Sequence, residues 1–439
     1  MCKYLILKTT VIFFTLVNIC YANISLIRDA QTESFLHKIS APIFKAANLQ
    51  DQINIYIIND PSINAFVAGG KNIFINSGTI SFSGDPLGLI GIIAHETGHI
   101  TGSHLARMSI DIGKIKKQLA LGYILGITTA IIGNPDAGQA LILGSSHVGE
   151  RKFFSYSTKH EEAADEAALK FLDTAQISSK GLLEFFKEIR GAEKIYFDKI
   201  NPYTRTHPLT KNRIERIFLH TSQSTSYKDL SDDIQQEYNI IKGKLTGFLE
   251  DPEQILENYD DSNNIGIIAL SIAKHRLGMS RDAIKELNKL TTYFNNPYIL
   301  ELKGQIYYES GEARKAFNIF TKLDKLLPDQ PLIKIEYASV ILSLNNKKFF
   351  PLAIEQLNTA LLTEQDNIHA WKILAELYSK TDNLGLMNLS LAEVNLLLEK
   401  YKLAIQYAKK AKQILEEENN LKNITRVSDI IIFAKDNLK

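Results

Sequence analysis

The apolar pattern changes character several times along the chain. Residues 1–22 carry Lys3 and Lys8 near the start, run through TTVIFFTLVNIC and end on Tyr21-Ala22. That is the pattern of a secretory signal peptide cleaved after Ala22, and the run is shorter than the ~20 residues a spanning helix needs. From 26 to 48, Leu26, Ile27, Phe35, Leu36, Ile39 and Phe44 recur at helical spacing and predict an amphipathic helix. INIYIIND (53–60) and KNIFINSGTI (71–80) cluster β-branched and aromatic residues, punctuated by Gly69-Gly70 and Ser77-Gly78, and predict strands and turns. Asp85-Pro86 then supplies an N-cap and a first-position proline for an apolar helix. Gly88, Gly91, Gly98 and Gly102 each weaken that helix by about 1 kcal/mol relative to alanine, so a neighbour is expected to pack close to its backbone.

Further on, residues 118–146 form an unusually apolar stretch broken at Asn134-Pro135-Asp136. Each half is too short to span a bilayer, which leaves a buried helical hairpin or a lid-like or membrane-touching one. Residues 224–262 are acidic and polar with little continuous periodicity, and predict a linker with one short helix at 240–249. Beyond it Gly278 and Ala283, then Gly311 and Ala316, repeat with an offset of 33 residues, the period of a helix–turn–helix solenoid. Leu300, Gly304, Tyr307, Ala316, Phe320 and Pro328 fall on tetratricopeptide-like positions, weaker copies follow around Ala353 and Ala404, and Trp371, Leu374 and Tyr378 suit the first helix of another. Such pairs bury their faces by stacking, and the concave side is the usual binding surface.

The chain is thus expected to be mostly α: a signal peptide (1–22), an HExxH zincin-type α+β protease domain (23–223), an acidic linker region (224–262) and an α-solenoid of tetratricopeptide-like helix pairs (263–439). Composition changes this picture little. With 45% hydrophobic and 23% charged residues over 439 positions, the chain is an ordinary globular one of two or three domains. Both cysteines, Cys2 and Cys20, lie in the signal segment, so disulfides and thiolate metal sites are excluded from the mature chain. Without Lys3 and Lys8 the charge balance is 48 basic against 49 acidic residues, which gives no case for nucleic acid.

The chemistry lies in the apolar helix. His95, Glu96 and His99 form HExxH, which places both imidazoles on one helix face with Glu96 beside them, where it can hold a water bound to the metal. A catalytic zinc needs a third protein ligand. His104 falls one residue short of the metzincin spacing, where Leu105 stands instead. Downstream, Glu161 and Asp165 in HEEAAD share a helix face, so Glu161 can complete the ligand set while Asp165 orients a ligating histidine. The alternative is a capping box formed by Thr158 and Glu161.

Together HETGH, HEEAAD, INAFVAGGKNIFINSG, RTHPLTKNRI, the signal peptide and the repeats resemble the family of zinc metalloproteases that includes HtpX and the CAAX prenyl proteases, in particular its BepA-like periplasmic members. The resemblance implies one Zn²⁺ per chain held by His95, His99 and Glu161, with Glu96 as general base and Asp165 behind the ligands. It implies that His207 lies near the metal, either as a fourth ligand at rest or swung away to stabilise the tetrahedral intermediate. Arg213 also matches the family, and so does a strand around Asn64, Ala65, Phe66, Gly69 and Gly70, which an extended substrate can join as an edge. The implied clients are unfolded or misassembled outer-membrane proteins in the periplasm, and the implied partner of the repeats is the β-barrel assembly machinery. The rival expectation is a chaperone or adaptor with a dormant, self-inhibited zinc site.

Overall fold

The computed structural model describes residues 25–103, 158–195, 202–224, 230–291 and 296–438. The signal-like segment, His104 and the apolar stretch 118–146 lie outside them.

Leu26–Ile27 is a short strand (β1) rather than the start of the first helix, because Asp29 caps α1 (Ala30–Ala46) by accepting from Thr32 N–H at 2.7 Å. Leu26 and Ile27 pair instead with Ile58 and Ile57 of β2 (Asn54–Ile58). Strands β3 (Ala65–Ala68) and β4 (Asn72–Asn76) complete a four-stranded sheet of order β1-β2-β4-β3, in which β2 and β4 are parallel and β3 runs antiparallel to β4 on the outer edge. The second predicted strand ends early, since Ser77–Phe82 turns into a helix (α2).

α3 (Pro86–Thr101) begins as its sequence dictates, with Asp85 accepting from Gly88 N–H at 3.1 Å and Pro86 at the first helical position. Its glycines admit the neighbours. A Cβ on Gly91 would lie 2.6 Å from Leu182 Cβ, on α5 (Lys180–Ile195), and one on Gly98 would lie 2.6 Å from the Ala164 carbonyl, on α4 (Thr158–Ala175). The sheet, α1, α3, α4 and α5 enclose one apolar core containing Phe35, Ile43, Ile73, Ile93, Leu172 and Phe186.

α6 (Pro202–Thr206) and α7 (Lys211–Gln223) close this half. The acidic segment then carries a helix much longer than expected, α8 (Asp232–Leu249). One of its faces joins the first core through Tyr238, Ile241 and Leu245, and Ile240 joins a second core with Ile267, Ile268 and Ile272. Gly243 and Gly247 are the points where Ile268 and Ile272 press against the helix. After a short α9 (Pro252–Asn258), five helix pairs follow among the described residues: α10–α11 (Asn264–Arg276, Ser280–Leu287), α12–α13 (Pro297–Glu309, Ala313–Leu326), α14–α15 (Pro331–Leu344, Phe350–Ala360), α16–α17 (Ile368–Lys380, Leu384–Leu397) and α18–α19 (Tyr401–Glu417, Leu421–Asp436). The fold is a mostly α half with a small sheet, followed by a helical solenoid-like region. Gly278 and Gly311 both take φ of 81° at the turns within the first two pairs, a backbone open to glycine, and Ala283 and Ala316 are buried five residues later. No helix of the described residues is long and apolar enough to cross a membrane.

Candidate metal centre

HExxH lies on the buried face of α3. His95, Glu96 and His99 are each at most 1% exposed. Because α4 crosses at Gly98, its Glu161 reaches the same point, one helical turn before Asp165 on the same face. The fourth member, His207, follows the last residue of α6. Ligand atoms of His95, His99, Glu161 and His207 all lie within 4.8 Å of one another, and all four side chains are buried. His99 Nε2 is 3.1 Å from His95 Nε2, and His95 Nε2 is 3.4 Å from His207 Nδ1. Glu161 Oε2 is 3.1 Å from His207 Nδ1 and 3.4 Å from His95 Nε2, while Oε1 is 3.4 Å from His99 Nε2.

Three imidazoles whose ring nitrogens converge this closely have too few protons to bridge every pair, and they would repel as cations. A carboxylate beside them completes the donor set of a divalent metal of the zinc type. The residues present therefore fit such an ion.

The surroundings fix the donors. Arg213 on α7 grips Asp165 with both arms of its guanidinium, Nε–Oδ2 2.6 Å and Nη2–Oδ1 2.9 Å, and its Nη1 donates to Pro208 O at 2.8 Å and lies 3.0 Å from Glu161 Oε2. Asp165 Oδ1 in turn lies 2.9 Å from His95 Nδ1, somewhat off the N–H direction. This holds His95 with Nε2 towards the cluster. Burial acts to lower the His95 pKa, but the nearby carboxylates of Asp165 and Glu161 outweigh it and lift the ring to about 9. Burial drives His99 down to about 3. It also works to raise Glu161, which its three imidazole neighbours nevertheless hold well below the ordinary carboxylate range. Burial raises Glu96, and among the described residues neither of its carboxylate oxygens has a hydrogen-bond partner; His207 Nε2 lies 3.5 Å from Oε1.

Of the strand residues named above, Ala65 meets this cluster through its carbonyl, 3.1 Å from His207 Nε2, and the Asn64 side chain meets Thr206. Phe66 stacks on Phe74 with ring centroids 5.2 Å apart. Gly69 and Gly70 form the β3–β4 turn at φ of 60° and 94°, at the opposite end of the strand from Ala65. Sequence reasoning passed over Tyr203, whose buried ring stacks on His207 at 4.8 Å and 27°. Its i, i+4 spacing to His207 was the available signal.

A buried HExxH helix crossed by a carboxylate-bearing helix defines a metallopeptidase type of centre. Residues 30–218 match Peptidase family M48, and this part of the chain is a domain of that family. Over most of its length the chain is homologous to beta-barrel assembly-enhancing proteases. It is 20% identical over 369 residues to that of Escherichia coli (strain K12), covering 82% of this chain and 74% of the relative. It is 22% identical over 408 residues to a putative beta-barrel assembly-enhancing protease of Vibrio cholerae, covering 90% and 82%. It is also 22% identical over 212 residues to the mitochondrial metalloendopeptidase OMA1 of Schizosaccharomyces pombe, covering 48% and 59%.

Proposed function

We propose that the chain is an exported zinc endopeptidase that cleaves unfolded or misassembled outer-membrane proteins in the periplasm, restrained at rest by His207. The observation that carries this reading is the convergence of His95, His99, Glu161 and His207 around one point, with Glu96 alongside. The signal-like segment supports export. The names of the relatives support a role beside β-barrel assembly, with the helix pairs recruiting clients or docking on the assembly machinery.

His95, His99 and Glu161 hold the metal. Zinc bound there supplies a Lewis acid that lowers the pKa of a water towards about 7 and polarises a peptide carbonyl. Glu96 is the proton carrier: buried, with its pKa raised and its oxygens free of competing donors among the described residues, it takes a proton from the attacking water and returns it to the leaving amine. Asp165 and Arg213 keep His95 in register. His207 sits where it can occupy the fourth position, and its Nε2 stands beside the base.

The test is the mature chain from Asn23, with its zinc content measured and an unfolded protein as substrate. The expected result is one zinc per chain, cleavage reduced by about 10²-fold or more in Glu96→Gln with zinc retained, and cleavage raised in His207→Ala. Zinc without cleavage in any variant would favour a chaperone or adaptor with a dormant site. A chain that binds no zinc would overturn the reading.

A further inference from the structure

α5 lies alongside α3 in the same direction, and glycines set the register between them. A Cβ on Gly181 would lie 2.5 Å from Leu87 Cβ, and one on Gly91 2.6 Å from Leu182 Cβ. One turn further along both helices the pair is His95 and Phe186, with ring centroids 6.1 Å apart at 82°. The close approach at Gly91 therefore brings a phenyl ring to a residue of HExxH. Phe186 is fully buried, and by burial alone it is one more residue of the core.

The ring has a second neighbour. Arg213 Cζ stands 5.3 Å from the Phe186 centroid, over its face. Along its edges the guanidinium is committed to Asp165, Glu161 and the Pro208 carbonyl. A guanidinium donates only in its own plane, so its flat face needs a partner of another kind, and bulk water does not reach a side chain buried this deeply. The electron-rich face of an aromatic ring is such a partner, and the attraction is strongest where both groups are desolvated. Leucine at this position would fill much of the space and offer the cation nothing.

We propose that Phe186 is a positioning residue of the metal centre: its face pins the Arg213 guanidinium and its ring abuts His95, so that the His95 and Glu161 donors stay aimed at one point before a metal arrives. This rests on the reading of the cluster as a zinc site and adds to it the residue that organises the site in advance. Arg213 reaches both donors, through Asp165 to His95 Nδ1 and directly to Glu161 Oε2 at 3.0 Å. With no ion between them the converging imidazoles gain by drifting apart, and whatever resists that drift is felt as metal affinity. The hold on Arg213 depends on the charge distribution of the ring and not on its volume, which separates it from packing. Phe185 supplies the comparison. It is buried on the same helix, but its ring meets Phe82 and Tyr203. Phe186 also touches Tyr203, at 6.1 Å, so an effect transmitted through Tyr203 would appear at both positions.

The experiment uses the full mature chain with Phe186 replaced, by suppression of a stop codon, with mono-, tri- and pentafluorophenylalanine. These rings nearly keep the shape of phenylalanine while fluorine drains the negative charge from the face. Zinc affinity is read by competition with a chromogenic chelator, and the geometry of the site by the visible spectrum of the cobalt(II) form. The expected result is an affinity that falls stepwise with fluorine number, by about ten-fold for the pentafluoro ring, with a cobalt spectrum that shifts in step. The same series at Phe185 is expected to leave both readouts unchanged. Phe186→Leu, which removes the ring without fluorine, is expected to weaken zinc binding at least as much as the pentafluoro ring. A flat series at Phe186, or an equal fall at Phe185, would overturn the inference while the wild-type chain, still binding one zinc, keeps the reading of the site intact. A wild-type chain that binds no zinc would overturn both.

Discussion

Asp165 accepts both arms of Arg213 while one of its oxygens faces His95, so the position of a metal donor rests on a guanidinium that never approaches the metal as a ligand. Fork geometry matters here more than charge. Lysine would keep the charge at position 213 but lose the paired donors to Asp165 and the contacts to Pro208 O and Glu161. Outer partners of metal ligands are typically worth 10–100-fold in affinity. Arg213→Lys is therefore expected to weaken zinc binding by about ten-fold or more, measured by competition with a chromogenic chelator. An affinity equal to wild type would show that Asp165 holds His95 unaided.

The elements of the centre were legible to different degrees. HExxH, the E-x-x-x-D face and the proline-started α3 follow from spacing alone. The partner of that helix does not, because glycine marks a close approach without saying to what. The structure answers with Ala164 at Gly98, and this contact brings Glu161 within reach of His99. Gly98→Ala sets a methyl against a backbone carbonyl, so α4 must shift. An overpacked contact costs about 1–3 kcal/mol, and here it also pulls a ligand away. The expected outcome is a lower melting temperature together with weaker zinc binding. Gly191→Ala on α5 is the matched control: nothing lies within 4 Å of its added Cβ, so the alanine gains helix propensity and raises the melting temperature without changing zinc affinity. Equal behaviour of the two variants would separate the α3–α4 approach from the metal centre. The link from His207 to Ala65 was invisible in the sequence for another reason. It is made to a main-chain oxygen, and no side-chain pattern records it.

At the scale of the whole molecule, the stretch after β1 ties the two halves together. Arg28 donates to Glu364 at 2.8 Å, and Asp29, besides capping α1, pairs with Lys244 of α8. Lys244 also faces Glu301 on α12 at 3.6 Å, and these groups line a cavity of about 550 Å³ with Glu336 on α14. The acidic segment read as a linker is therefore a buried seam, and three carboxylates share one lysine there. Burial raises Glu301 from 4.5 to about 7, against the pull of Lys244, and raises Glu336 well above the ordinary carboxylate range with the help of Glu301. For an acid whose folded pKa is raised, the folded state binds the extra proton. Its stabilising contribution is complete below the unfolded value and is lost as pH rises through the folded one. Asp29 has the opposite sign: Lys244 overcomes burial and lowers it, so its contribution is present above its ordinary value and fades in more acid solution. The seam is thus expected to be firmest between these limits and to lose stability as pH climbs from about 4.5 to about 7. Glu301→Gln, which cannot ionise, should melt at a higher temperature than wild type at pH 8 and at nearly the same temperature at pH 4.5, with calorimetry of both chains across that range as the measurement. A wild-type chain that instead melts above Glu301→Gln at pH 8, by a gap that closes towards acid pH, would mean that the ion pair with Lys244, and not the burial of Glu301, governs how the solenoid-like region is held against the protease half.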